Sequence, residues 1–201
     1  MAGLSGVDDW PWRHWARLRP ADVALRSDGE AIDWRTLAQR IDGLAGGFSA
    51  QGVASEAVVA LRAKNGPEML YAYLALLQLG ARVLPLNPQL PAALLGVLLP
   101  RLNVAFALDL APGSALSWSE GIPPLHLRSG SAAASAPWAP RRQATLTLTS
   151  GSSGLPKAAV HTAAAHLASA RGVLSLIPLT AQDTWLLSLP LYHVSGQGIV
   201  L

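Results

Sequence analysis

Apolar residues follow two rhythms along this chain. Leu37, Ile41, Leu44, Ala45 and Phe48 recur three or four positions apart, which predicts a helix over residues 34–51 that stops at Gly52. Residues 68–79 form a second, strongly apolar helix ending at Gly80, and Pro91 suits the first turn of a third that reaches about Leu102. Between them, residues 58–63 read as a buried strand, and 82–86 and 104–108 as further strands. Upstream, 23–26 and 31–34 flank the turn cluster 27–30 and predict a hairpin. Trp10, Trp12 and Trp15 lie in a short helical segment that accepts Pro11 in its first turn, with Trp12 and Trp15 expected to pack as an i,i+3 pair. Downstream, 145–149 alternate as a strand, 158–160 return as another, and Thr162 caps a helix running to about Leu176. Residues 184–189 read as a strand ending at Pro190, and a last helix begins near Ser195. Helices alternating with apolar strands predict an α/β fold, a layered sheet with helices on both faces. Such sheets bind ligands beyond the carboxyl ends of their strands.

Residues 109–142 are rich in Pro, Ser, Gly and Ala and read as a linker, with 129–137 of low complexity. The expected division is an N-terminal α/β subdomain over 1–142, linker included, and the start of a second subdomain over 143–201.

Composition narrows the function. A hydrophobic content of 51% over 201 residues is ample for a packed core and argues against disorder. With no cysteine, neither disulfides nor a thiolate metal site can form. The net charge of +3 is scattered, with only Arg141 and Arg142 adjacent, so no nucleic-acid stripe is present. The first ten residues lack the pattern of a signal peptide, and the longest apolar stretch, 69–79, is short for a membrane span. A soluble cytoplasmic protein without a transmembrane segment is expected, and a homo-oligomer is compatible with it.

The chemistry concentrates after the strand 145–149. Thr149, Ser150, Gly151, Ser152, Ser153, Gly154, Leu155, Pro156 and Lys157 make a hydroxyl- and glycine-rich loop ending in a lysine. Glycines let backbone N–H groups turn toward one point, hydroxyls add donors, and the lysine adds charge, a composition suited to a polyphosphate. A Walker-type loop would place glycine directly before the lysine and a hydroxyl residue after it, whereas Pro156 and Ala158 stand there. A plain Ser/Gly turn between strands would share this composition. Lys64 and Lys157 are the only lysines, which favours a specific role for the second. His161 and His166, five apart with no acidic companion, make no convincing zinc pair, and no G-x-S-x-G elbow marks a nucleophilic serine.

Residues 149–157 resemble the phosphate-binding signature [ST]-S-G-[ST]-[ST]-G-x-P-K-G of the adenylate-forming acyl- and aryl-CoA ligases, departing only at Ala158. Pro190-Leu191-Tyr192-His193-Val194-Ser195-Gly196 resembles that superfamily's P-x-[FY]-H-x-x-G segment. Residues 9–15, 76–91, 158–162 and 166–170 are similar to the branch that ligates o-succinylbenzoate to coenzyme A in menaquinone synthesis. The resemblance implies the N-terminal portion of the superfamily's large domain, with ATP, Mg2+ and coenzyme A as cofactor and co-substrates. It implies that Thr149, Ser150, Gly151, Ser152, Ser153 and Gly154 wrap the β- and γ-phosphates, with Ser152 and Ser153 in direct contact. Lys157 would steady the loop and the departing pyrophosphate. His193 would stand where the carboxylate meets the α-phosphate and Ser195 would touch substrate, while Tyr192 and Gly196 shape the turn. No residue of the chain is assigned to the metal. The superfamily's magnesium glutamate, ribose aspartate and adenylation lysine have no counterpart before Leu201, so the chain is expected to be the N-terminal part of a longer ligase and inactive alone. Another aryl- or fatty-acyl-CoA ligase and a non-catalytic nucleotide-binding module are the competing readings.

Overall fold

A computed structural model describes residues 9–111, 120–131, 135–149 and 154–201. Its frame is a five-stranded sheet in the order β5-β3-β4-β6-β7. The strands are β3 (Val58–Arg62), β4 (Arg82–Leu86), β5 (Val104–Asp109), β6 (Gln143–Thr149) and β7 (Lys157–Thr162). The first four run parallel and β7 returns antiparallel to β6. Successive side chains of a strand point to opposite faces, and here both faces are covered. Val59, Leu61 and Val83 face one core with Ile41, Phe48 and Leu74, whereas Val58, Ala60, Leu84 and Leu146 face a second with Leu95 and Leu99. The first core is roofed by α2 (Trp34–Ala50) and α3 (Pro67–Gln78), and the second by α4 (Ala92–Arg101). That is the expected layered sheet with helices on both faces. Burial on two sides explains why β3 and β4 are continuous apolar runs.

Local signals fix the joins. Asp28 and Gly29, at φ 51° and 81°, close the hairpin between β1 (Val23–Ser27) and β2 (Glu30–Asp33). The Asp33 carboxylate accepts from the Thr36 N–H at 2.7 Å and caps α2, which gives way to Gly52 at φ 96°. Arg62 and Asp109, paired across β3 and β5, form an ion pair at 3.2 Å with the Asp109 side chain almost wholly buried.

Two expectations are corrected. Within and before α1 (Pro11–Leu18), Trp12 stacks on Trp10 at 5.0 Å, with Trp138 edge-on to Trp10, while Trp15 contacts His14 and Arg19. The reason is the indole N–H of Trp12, which donates to the Gln78 Oε1 at 2.9 Å and so turns the ring inward; Gln78 in turn donates to Asp42. Residues 184–189 form no strand. They are largely exposed, and no described strand pairs with them. An apolar-rich run without a ladder partner has nothing to satisfy its backbone as a strand.

The described parts of the Pro-, Ser- and Gly-rich stretch pack back against β5 and the helices. Leu125 donates its N–H to the Ala107 carbonyl at 2.8 Å, Gly130 to Gly43 at 2.9 Å and Ala136 to Gln78 at 2.9 Å. Where it crosses α2 the two backbones nearly touch: a Cβ on Gly47 would stand 1.6 Å from the Arg128 carbonyl oxygen. Among the described residues no helix is long and apolar enough to cross a membrane.

Candidate active site

Thr149 and Lys157 are brought together by the β6–β7 ladder, which pairs them across its last rung. The Thr149 hydroxyl donates to the Lys157 carbonyl at 3.3 Å, closing the base of the intervening loop at the carboxyl end of β6. Both residues are exposed there. Ser150, Gly151, Ser152 and Ser153 lie outside the described residues. Gly154 has φ 92° with open space around it, a backbone geometry that glycine adopts without strain. Ala158, the one departure from the signature, sits in β7 opposite Leu148 and packs against the second core, where an extended strand accommodates its methyl group.

The strand beneath the loop is held from several sides. β6 is buried from Ala144 to Thr147 and bonds to β4 as well as β7. The Thr145 hydroxyl and the His166 Nε2 lie 2.9 Å apart in the interior. His166 belongs to α5 (Ala163–Leu176), whose N-terminus is capped by Thr162, accepting from the Ala165 N–H at 3.1 Å. Burial, reinforced by His161 with its ring 5.4 Å away, pushes the His166 imidazole down to about 4, so it is neutral at pH 7. A neutral ring can accept from a hydroxyl, so His166 acts as a strut for β6. Among the described residues no group of three His, Cys, Asp or Glu side chains could hold a metal ion.

His193 and Ser195 are carried by a second unit. Pro190 accepts from the His193 N–H at 3.0 Å, and the chain turns directly into α6 (Val194–Val200), with His193 at its N-cap. Gly196 makes this possible, because a Cβ there would lie 2.2 Å from the Pro190 carbonyl oxygen. Leu191 is fully buried and anchors the turn, leaving His193 and Ser195 exposed and the His193 ring against Tyr192 at 4.9 Å.

The two units are joined by residues without an obvious signature. Gln197, fully buried, donates to the Leu191 carbonyl and to the Thr147 hydroxyl, both at 3.1 Å. Thr147 is two residues before the loop and Leu191 two before His193. Thr149 and Lys157 therefore meet directly, whereas His193 and Ser195 are linked to them through Gln197. Asn65, just beyond β3, binds the stretch leading to Pro190. It also borders a cleft of about 730 Å3 with Arg40, Lys64, Glu68 and Tyr71, which reaches Leu110 after β5. β4 and β5 flank β3, so the cleft opens where the strand order reverses.

Residues 12–201 match the AMP-binding enzyme family. The chain belongs to that family. It is 58% identical over 192 residues to the 2-succinylbenzoate–CoA ligase of Salmonella typhimurium, covering 96% of this chain and 42% of the relative. Escherichia coli MenE, solved with an m-phenylether-linked analogue of OSB-AMS, superimposes with a TM-score of 0.87 at 55% identity, over 96% of this chain and 42% of that one. The o-succinylbenzoate coenzyme A synthetase of Bacillus subtilis in complex with ATP and magnesium gives 0.87 at 25% identity, over 94% and 41% respectively. The chain thus spans less than half the length of these relatives, and its fold corresponds to an N-terminal portion of theirs.

Proposed function

We propose that this chain supplies the phosphate-gripping part of a cytoplasmic ligase that activates o-succinylbenzoate with ATP and passes it to coenzyme A in menaquinone synthesis. The observation that carries this reading is the β6–loop–β7 unit, which holds Thr149 and Lys157 side by side at the carboxyl end of the sheet. A carboxylate oxygen attacks the α-phosphorus, the bond to the β-phosphate breaks, and pyrophosphate leaves. The thiol of coenzyme A then attacks the acyl carbon, and AMP leaves. In the first step the backbone and hydroxyls of 149–154 hold the β- and γ-phosphates, and the Lys157 ammonium offsets charge gathering on pyrophosphate. His193 and Ser195, on the turn tied to β6, receive the acid beside the α-phosphate. Magnesium, when bound, would add charge neutralisation at the phosphates, and the role proposed for residues 149–157 is to position the anion. Residues 1–142 serve in this reading as the supporting subdomain and 143–201 as the start of the reacting one. By itself the chain is expected not to form the thioester.

The test uses the complete enzyme, meaning this sequence continued by the C-terminal portion that its relatives carry. Acid-dependent ATP–pyrophosphate exchange is compared for o-succinylbenzoate, benzoate and a long-chain fatty acid. O-succinylbenzoate is expected to lead in kcat/KM by about 100-fold, because a polar site rejects acids that leave its groups unpaired. A lead for either other acid would reassign the substrate, and ATP binding without exchange would make this a nucleotide-binding module.

A further inference from the structure

We propose that Asn65 is a positioning residue for the adenylation step, one that sets where His193 stands relative to the phosphate loop. The proposal rests on the ligase reading above and goes beyond it by assigning a role to a residue outside both signatures. Asn65 lies just past the carboxyl end of β3 and uses both ends of its amide on the approach to His193. Its Nδ2 donates to the Leu189 carbonyl at 2.9 Å and the Leu187 carbonyl at 3.4 Å, while its Oδ1 accepts from the Leu191 N–H at 2.9 Å. Those three residues alternate, as groups on one edge of an extended chain do. A single side chain thus does for this stretch what a neighbouring strand would do, which matters because no described strand pairs with it.

The opposite side of the same peptide is held by Gln197. The Leu191 N–H goes to Asn65 and the Leu191 carbonyl to Gln197, which also binds Thr147 on β6. The resulting chain runs from β3 through Asn65, Leu191 and Gln197 to β6, two residues short of each reacting unit. Removing Gln197 would open a hole in the core. Asn65 is exposed, so its loss leaves no cavity and the freed Leu187 and Leu189 carbonyls turn to water, while the aspartate variant still offers an acceptor to the N–H of buried Leu191. Its removal therefore acts on the placement of His193 and only slightly on folding.

The test substitutes Asn65→Ala and Asn65→Asp in the complete enzyme. The second keeps the acceptor for Leu191 and sets a carboxylate against the two carbonyls. Misplacing a reacting group by about an ångström costs on the order of 100-fold, so both are expected to lower kcat of o-succinylbenzoate-dependent pyrophosphate exchange by about that factor. KM for ATP is expected to hold within about 3-fold, since the phosphate loop is untouched. Amide hydrogen exchange over 187–193 should quicken, with the protection of β6 unchanged. Wild-type kcat in both variants would overturn the proposal, as would a fall in kcat matched by loss of protection throughout the protein. If the unsubstituted enzyme showed no exchange with any acid, the ligase reading would fail and the assignment of Asn65 with it.

Discussion

Replacing Lys157 by Ala in the complete enzyme is expected to slow acid-dependent pyrophosphate release by about 100- to 1,000-fold, the usual cost of deleting a donor aimed at developing charge. Lys157 opens β7, and its backbone, not its side chain, makes the structural bonds: it pairs with Thr149 in the ladder, and its carbonyl accepts from the Thr149 hydroxyl. The side chain is exposed and takes no hydrogen bond among the described residues. Its ammonium is therefore available to an anion, and truncating it leaves the β6–β7 pairing intact. Thermal stability should be unchanged within about 0.5 kcal/mol, as for other surface substitutions. Lys157→Arg keeps the charge but replaces a compact ammonium with a wide planar fork, and intermediate rates are expected. Stopped assays of released pyrophosphate at saturating acid measure the effect. Unimpaired release from the alanine variant would remove the lysine from the chemistry.

Gly47→Ala is expected to destabilise the protein by about 3 kcal/mol or more, although it lies in a helix where alanine is ordinarily the better residue by about 1 kcal/mol. The new Cβ would stand 1.6 Å from the Arg128 carbonyl oxygen and 2.7 Å from its carbon. Both are backbone atoms, which no rotamer change can move aside, so either α2 or the segment crossing it must shift. That segment is also tied to α2 by the hydrogen bond from Gly130 to Gly43, which resists the shift. Gly43→Ala is the internal control, since its Cβ would meet only the Ser129 hydroxyl and its carbon at 3.4 and 3.5 Å, and the serine can rotate. Urea unfolding of the two variants should separate them clearly, with Gly43→Ala near the parent protein. Equal or higher stability for Gly47→Ala would mean that residues 128–131 do not cross α2 as described.

What the sequence displays and what it hides follow from how far each interaction reaches. The helices α2 and α3 were readable because burial repeats along a few adjacent turns, and β3 and β4 because a strand covered on both faces must be apolar throughout. The capping of α5 by Thr162 and the stop at Gly52 are equally local. The ring pairing of Trp12 was not readable, because the acceptor that orients its indole, Gln78, lies 66 residues away. Residues 184–189 have strand-like composition but no ladder partner, and composition alone does not reveal a missing neighbour. The same distinction divides the site. Thr149 and Lys157 announce themselves through side-chain chemistry within one loop, and Gly196 through a motif. Asn65 reaches backbone groups as far as 126 residues away, and Gln197 reaches Thr147 across 50, so neither carries a local sign of its role. The only available hint at Asn65 was its place directly after a buried strand, where α/β sheets gather their ligands.

Everything proposed for the reaction depends on the triphosphate of ATP seating between Thr149 and Lys157. The decisive measurement is a crystal structure of the complete enzyme with a non-hydrolysable ATP analogue. The β- and γ-phosphate oxygens should lie about 2.7–3.2 Å from the N–H and hydroxyl donors of residues 149–154 and from the Lys157 Nζ. A phosphate tail bound elsewhere, with that loop empty beside an occupied nucleotide, would contradict the assignment.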